Sequence, residues 1–474
     1  MSSPHQIRRT KIVATLGPAT DSSEGIARLI AAGVDVFRLN FSHSDRASHA
    51  RTIKRIRETA SQLERQIGIL QDLGGPKIRL GVLPESVVLE AGATVRLDAS
   101  EHPAPGALPV NYPHLAEDVR PGDPILLADG TVELRVEDVA ENLVLCSVIT
   151  GGRLSSHKGV NLPGSRLRVP AFTDKDRLDL ETGLEAGVDF VALSFVRDEN
   201  DLSPVLEILA GAEPRPLLIA KIEKPQAVEH LEAILAVVDG LMVARGDLGV
   251  ELPVEQVPLI QKRIIREAMA AGKPVITATQ MLGSMVASPR PTRAEASDVA
   301  NAVLDGTDAL MLSEETAVGN YPVEAVQTLD RIARAVEPSI DHDALLERPL
   351  SGSPRPTNEA IGHAACWLAR DVAARAIVAS TVSGTTARLV ARFRPAVPIH
   401  ALTPHPWVER QLNLSWGVVP THVDRFEDTD AMFARAREWA GQTGLTGSGE
   451  RLVLTAGAPI NVAGTTNMLR VVDL

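Results

Sequence analysis

Eight short apolar runs rich in β-branched residues recur along the chain with helical stretches between them, at 11–15, 34–39, 67–72, 190–194, 216–221, 240–244, 274–279 and 308–313. Strands that are apolar on both faces must be covered on both faces, which predicts a parallel sheet wrapped by helices. Eight such units predict a closed (β/α)8 TIM barrel, an α/β fold whose site lies at the C-terminal ends of the strands. The polar residues fall at those ends: Arg38 and Asn40, Asp72, Lys221 with Glu223, Asp247, Thr279 and Ser313.

Two interruptions break the pattern. The stretch between the third and fourth runs is far longer than an ordinary βα loop. It carries turn signals (Pro121-Gly122-Asp123, Asp129-Gly130, Pro163-Gly164) between short alternating runs such as 132–136. These predict a small all-β domain inserted at the catalytic end, placed to act as a lid. A Pro/Ser-rich stretch at 349–356 then reads as a linker, and runs at 376–380, 398–403 and 451–456 alternate with helices beyond it. The expected division is a barrel from 1–75 and 171–346, a β lid from 76–170, and a C-terminal α/β domain from 347–474 that regulates or oligomerises.

The segments Ile-Ala-Lys-Ile-Glu (219–223) and Val-Ala-Arg-Gly-Asp-Leu (243–248) are apolar runs that end in charge. Side chains two apart on a strand share a face, so Lys221 and Glu223 should point together, as should Arg245 and Asp247. Two carboxylates so placed hold one Mg²⁺, with a lysine beside them to neutralise an anionic substrate. A single Lys-x-Glu pair reads equally as a solvated ion pair; two such strand ends close in sequence favour a site. The 474 residues carry a formal net charge of −12, which argues against a general nucleic-acid or membrane-surface binder. Only Cys146 and Cys366 occur, so no disulfide framework or cysteine metal site is expected. The first residues contain no apolar signal segment and no run approaches membrane-spanning length, so the expected location is cytoplasmic.

The motifs resemble those of pyruvate kinase. They are IAKIEKPQAV (219–228), FRLNFSH (37–43), DGLMVARGDLGV (239–250), TATQMLGSM (277–285), MLSEETAVGNY (311–321) and, in the insert, KGVNLPG (158–164). The likeness runs from about residue 8 to the C-terminus and is weakest at 82–106, the linker and 421–449. It implies a glycolytic phosphotransferase that moves the phosphoryl group of phosphoenolpyruvate to ADP, giving pyruvate and ATP. By resemblance, Glu223 and Asp247 hold Mg²⁺, with Mn²⁺ as a substitute. Lys221 and Arg38 meet the phosphoryl group, Gly246, Asp247 and Thr279 the substrate carboxylate, and Thr279 and Ser313 the carbon that is protonated. Asn40, Ser42, His43, Arg79 and Lys158 are implied for the nucleotide, with Asp129 as a lid residue that reads equally as a turn aspartate.

Many family members bind K⁺ through positions that here are Asn40, Ser42, Asp72 and Leu73. Lys77 stands where potassium-dependent members carry Glu, and its ammonium would repel K⁺. The expectation is therefore activity without K⁺. Ser380, Thr381, Ser383, Gly384, Thr385 and Thr386 follow a strand and open a helix, where amides and hydroxyls suit a phosphorylated effector. The loop 456–466 lacks the Trp and Arg of a fructose-1,6-bisphosphate clamp. A homotetramer is implied by resemblance alone. The competing readings are a catalytically silent sugar-phosphate sensor and another Mg²⁺-dependent pyruvate or phosphoenolpyruvate barrel; the intact Lys221, Glu223, Asp247 and Arg38 weigh against the first, and Arg79 with Lys158 against the second.

Overall fold

A computed structural model describes residues 7–165, 167–348, 356–442, 449–460, 462 and 464–474. All eight expected strands are present: β1 (Lys11–Thr15), β2 (Val36–Asn40), β3 (Gly68–Leu73), β4 (Phe190–Leu193), β5 (Leu217–Ile222), β6 (Gly240–Ala244), β7 (Val275–Ala278) and β8 (Ala309–Leu312). They close into one parallel barrel in the order β1-β8-β7-β6-β5-β4-β3-β2. Alternation divides each strand between two cores. Val13, Val36, Leu70, Ile219, Met242 and Met311 fill the barrel interior, joined from below by Leu414 of the C-terminal domain. Ile12, Phe37, Ile69, Leu218 and Leu241 pack outward beneath the helices.

Local sequence sets where the helices begin and end. Thr173 and Thr292 open their helices with reciprocal capping boxes to Asp176 and Glu295. Gly306 ends the second of these at φ 96°, a backbone that a side chain would strain.

Between β3 and β4 the chain forms a six-stranded sheet around its own apolar core, with strands Val132–Ala140 and Leu143–Thr150 at its centre. A one-turn helix at Leu115–Asp118 is its departure from an all-β reading. The C-terminal domain is a five-stranded sheet of β9 (Ala376–Ser380), β10 (Ile399–Thr403), β11 (Val418–His422), β12 (Arg451–Gly457) and β13 (Thr466–Asp473), ordered β11-β10-β9-β12-β13. The sequence reading found β9, β10 and β12 and missed β11 and β13. Those two are the sheet edges, half-exposed and lacking a continuous apolar run. The linker expected at 349–356 lies, Pro356 apart, outside the described residues.

The C-terminal domain is bolted to the barrel floor by polar side chains. Arg394 binds both oxygens of Asp308 at 3.0 Å, Arg410 binds Asp189 at 2.7 Å, and the Lys11 ammonium donates to the Val418 carbonyl at 2.8 Å. Among the described residues, no helix is long and apolar enough to cross a membrane.

Candidate active site

Four charged side chains converge at the C-terminal mouth. Arg38, in β2, donates from Nε to Asp72 Oδ2 at 2.7 Å and from Nη1 to Thr15 Oγ1 at 3.1 Å. Lys221, in β5, lies 2.7 Å from Glu223 Oε1 and 3.3 Å from Asp72 Oδ1. Its ammonium also donates to Ser194 Oγ at 2.7 Å, and the Ser194 hydroxyl donates in turn to the Leu73 carbonyl at 2.8 Å. Glu223 Oε2 accepts the Phe195 amide at 2.9 Å, presented by a residue in the left-handed region (φ 60°). All four are nearly sealed from solvent: Arg38 and Lys221 are 9% exposed, Asp72 1% and Glu223 2%.

Burial and charge compete at each group. Burial alone would lower the Lys221 pKa, but Asp72, Glu223 and Asp247 outweigh it and raise the value, so the side chain stays an ammonium. Burial alone would raise Asp72, but Lys221 and Arg38 hold it below the usual carboxylate range. Glu223 goes the other way: burial pushes it up, Lys221 opposes, and the charge of Asp247 adds to the rise. Two carboxylates that disfavour each other's charge are relieved by a cation between them.

Among the described residues no group of three or more His, Cys, Asp or Glu side chains could hold a metal ion. Glu223 and Asp247 lie near enough for the charge of one to raise the pKa of the other, and a pair of hard carboxylate donors of this kind fits Mg²⁺ when substrate oxygens complete its shell. The expected K⁺ donors are already engaged: Asn40 Oδ1 accepts the Ser42 amide at 3.1 Å, the Leu73 carbonyl accepts Ser194, and Asp72 serves Arg38 and Lys221. Ser42 lies beyond the end of β2, in the turn that follows Asn40.

Arg245 and Asp247 do not lie on a strand. β6 ends at Ala244, and Arg245–Glu251 is a short helix. Arg245 therefore turns away, binding Asp298 at 2.7 and 2.8 Å, the Thr279 carbonyl at 2.7 Å and the Ala278 carbonyl at 3.2 Å. Thr279 sits at φ 68°, an outlier for a β-branched residue. Its hydroxyl accepts the Gly246 amide at 2.7 Å and donates to the Ala278 carbonyl at 2.7 Å. A Cβ on residue 246 would come within 3.3 Å of that hydroxyl. Ser313 follows β8, its amide donating to Glu315 Oε2 at 2.7 Å.

The lid meets the barrel mouth. Asp129, Lys77, Phe195, Lys224 and Asp247 line one crevice between them, and Lys224 forms an ion pair with buried Glu251. Arg79 donates to the His157 carbonyl at 3.0 Å, which sets it beside the segment that carries exposed Lys158. His43 has a lowered pKa, from burial first and then from Arg79, Lys77 and Arg38, so a positive field covers the Asn40–His43 corner. The effector residues lie apart, in the C-terminal domain. Ser380, Thr381, Ser383 and Thr386 line a cavity with Phe426, Thr465 and Thr466, and Arg388 reaches back from the helix to the Ser383 carbonyl at 2.9 Å. Gly384 caps that helix at φ 81°. Asn461 and Ala463 of the 456–466 loop lie outside the described residues.

Sequence reasoning missed Ser194, Thr15, Phe195 and the bracing role of Arg245. Ser194 had a visible signal, since it closes the fourth apolar run at the catalytic end.

Two family models match the chain: pyruvate kinase, barrel domain, over residues 7–326, and pyruvate kinase, alpha/beta domain, over residues 359–472. The chain is 49% identical over 471 residues to pyruvate kinase 2 of Synechocystis sp., covering 98% of this chain and 79% of that protein. It is 48% identical over 471 residues to a pyruvate kinase of Agrobacterium vitis, covering 98% of both. A crystal structure of a pyruvate kinase from Cryptosporidium parvum superposes with a TM-score of 0.92 at 36% identity, covering 98% of this chain and 96% of that one.

Proposed function

The chain belongs to the pyruvate kinase family, and on that footing we propose that it transfers the phosphoryl group of phosphoenolpyruvate to ADP through the cluster Arg38, Asp72, Lys221 and Glu223. The observation that carries this reading is the burial of those four charges together at the strand ends, facing the lid. Phosphoryl transfer needs positioning and charge neutralisation more than covalent chemistry, and a dry, fixed array of charges supplies both.

The family depends on a divalent metal, which we assign to Mg²⁺ (Mn²⁺ in its place) on Glu223 and Asp247; when bound, it supplies positive charge against the substrate's carboxylate and phosphoryl oxygens. Arg38 presents a planar fork to the phosphoryl group, held in orientation by Asp72. Lys221 cannot shed its proton near neutral pH, so it serves as a fixed positive charge for the enolate oxygen left as the phosphoryl group departs. Gly246, with no Cβ to obstruct approach, lets the amide after it reach the substrate carboxylate, and we assign the Thr279 hydroxyl to that carboxylate as well. We assign Thr279 and Ser313 to the hydroxyl network near the carbon that gains a proton.

For the nucleotide we propose Asn40, Ser42 and His43 at the exit of β2, with Arg79 and Lys158 from the lid segment, whose closure would expel water from the polyphosphate. K⁺ independence is supported by Lys77, whose charge already reaches His43. We further propose the division of the chain at 76–170 and 347–474, a homotetrameric assembly, and a phosphorylated ligand other than fructose-1,6-bisphosphate in the cavity at Ser380–Thr386.

The deciding experiment is pyruvate formation from phosphoenolpyruvate and ADP with Mg²⁺. Turnover that falls by roughly 10²–10³ in Lys221→Met supports the assignment; a wild-type protein that turns over nothing, with or without phosphorylated sugars, sinks it.

A further inference from the structure

The seam between the barrel floor and the C-terminal domain is crowded with cations. Arg394 is 2% exposed and gives both Nη atoms to Asp308 at 3.0 Å. Arg392 is paired with Glu359 at 3.1 Å. Two more cations reach the same seam with no carboxylate in ion-pair range among the described residues. Lys273 donates to the Leu235 and Val238 carbonyls, and Arg388 donates one Nη to the Ser383 carbonyl at 2.9 Å. Burial lowers the pKa of both, and only the more remote Asp239 opposes it.

Lys273, Arg388, Arg394, Asp308 and Ser415 line one small cavity with room of about 10 Å³, that of a single water-sized group. Three donors on these residues are buried with no hydrogen-bond partner among the described residues: Arg388 Nη1, Arg394 Nε and the Ser415 hydroxyl. A buried cation without a counter-charge is costly, and so is a buried donor without an acceptor. One anion removes both costs; the carboxylate of Asp308, which lines the same cavity, has its own charge matched by the two Nη atoms of Arg394 at 3.0 Å. A water molecule would satisfy two of the donors at most and leave two positive charges uncompensated. The room is tight even for a halide and excludes a tetrahedral oxyanion.

We propose that this seam binds one monovalent anion of halide size, such as chloride, held by Arg388, Lys273, Arg394 and Ser415. The site would tie the Ser383 loop to the barrel floor, because Arg388 holds that loop's carbonyl and Asp308 leads directly into β8. It would make the docking of the two domains sensitive to the kind of salt rather than to ionic strength.

Bromide tests this directly, since it replaces chloride and scatters anomalously. Crystals of the full chain grown in bromide are expected to show a peak between Arg388, Arg394 and Ser415. In solution, Tm in sodium chloride should exceed Tm in sodium gluconate at equal ionic strength by about 2 °C or more, because gluconate cannot enter. Arg388→Met, or Ser415→Ala if the first variant folds poorly, should shrink that difference. An empty or water-filled cavity in bromide overturns the proposal. A peak with equal Tm in the two salts marks an adventitious ion only and overturns it as well. Stronger protection by phosphate than by chloride overturns the assigned size class.

Discussion

Lys221 and Asp72 form a buried pair, Nζ to Oδ1 3.3 Å, in which Asp72 also holds Arg38 at 2.6 Å through its other oxygen. One carboxylate therefore aims both cations assigned to the phosphoryl group. Asp72→Asn keeps the shape and removes the charge. It should lower kcat by about 10²-fold, the scale of losing one aimed cation, and cost about 3–5 kcal/mol for breaking a buried pair. Because the folded pKa of Asp72 is depressed, its stabilisation is full above its unfolded value near 4 and fades as pH falls below it. Acid titration of stability should be shallower below about pH 4 in the variant than in the wild type. Equal slopes would mean that Asp72 does not carry the pair.

Ser194 is a positioning residue for Lys221, relaying the ammonium to the Leu73 carbonyl. Ser194→Ala should cut kcat by roughly 10-fold, about one hydrogen bond to a charged group, while KM for ADP stays put. Ser194→Thr should restore part of the loss. A rise in KM with kcat unchanged would point instead to a binding role.

Arg245 acts on Thr279 from behind, through two carbonyls. Arg245→Met should displace Thr279 and lower kcat by about 10²-fold, since a shift of about 1 Å at the reacting centre has that effect. If Arg245 works only through Thr279, its loss should add little to Thr279→Ala in a double-mutant cycle. Additive effects would show that Arg245 acts by another route.

Lys77 charges the corner where K⁺ is expected in dependent enzymes. Replacing K⁺ by a bulky organic cation at constant ionic strength should change the wild-type rate less than about twofold. Lys77→Met should also raise the His43 pKa, read by NMR titration, because one of the charges that depress it is gone. With the wild-type pKa lowered, His43 favours the folded state most above its unfolded value near 6.5 and loses that contribution as pH falls through its folded value. An unmoved His43 would place the Lys77 ammonium too far away to matter.

The barrel was legible because its strands are buried on both faces, and burial leaves an unbroken apolar run in the chain. Edges leave no such trace, which is why β11 and β13 went unread. Lys221 and Glu223 were legible because the alternation of β5 carries one residue past its end at Ile222, leaving the two side chains 2.7 Å apart. The same alternation failed at Arg245 and Asp247, where the chain had already turned into a helix. Asp72 was visible at the mouth, but its hold on Lys221 and Arg38 depends on distances across strands that sequence does not encode. Ser194 closes an apolar run and could have been read from sequence, whereas the role of the Phe195 amide needed the same three-dimensional information.

Leu414, 1% exposed, belongs to the C-terminal domain by sequence and to the barrel interior by packing. The catalytic barrel thus borrows its bottom stopper from the part of the chain that looks most like an accessory. A barrel cut off after its last helix would expose the apolar lining that Leu414 covers, so it is expected to be less stable alone than with its partner domain.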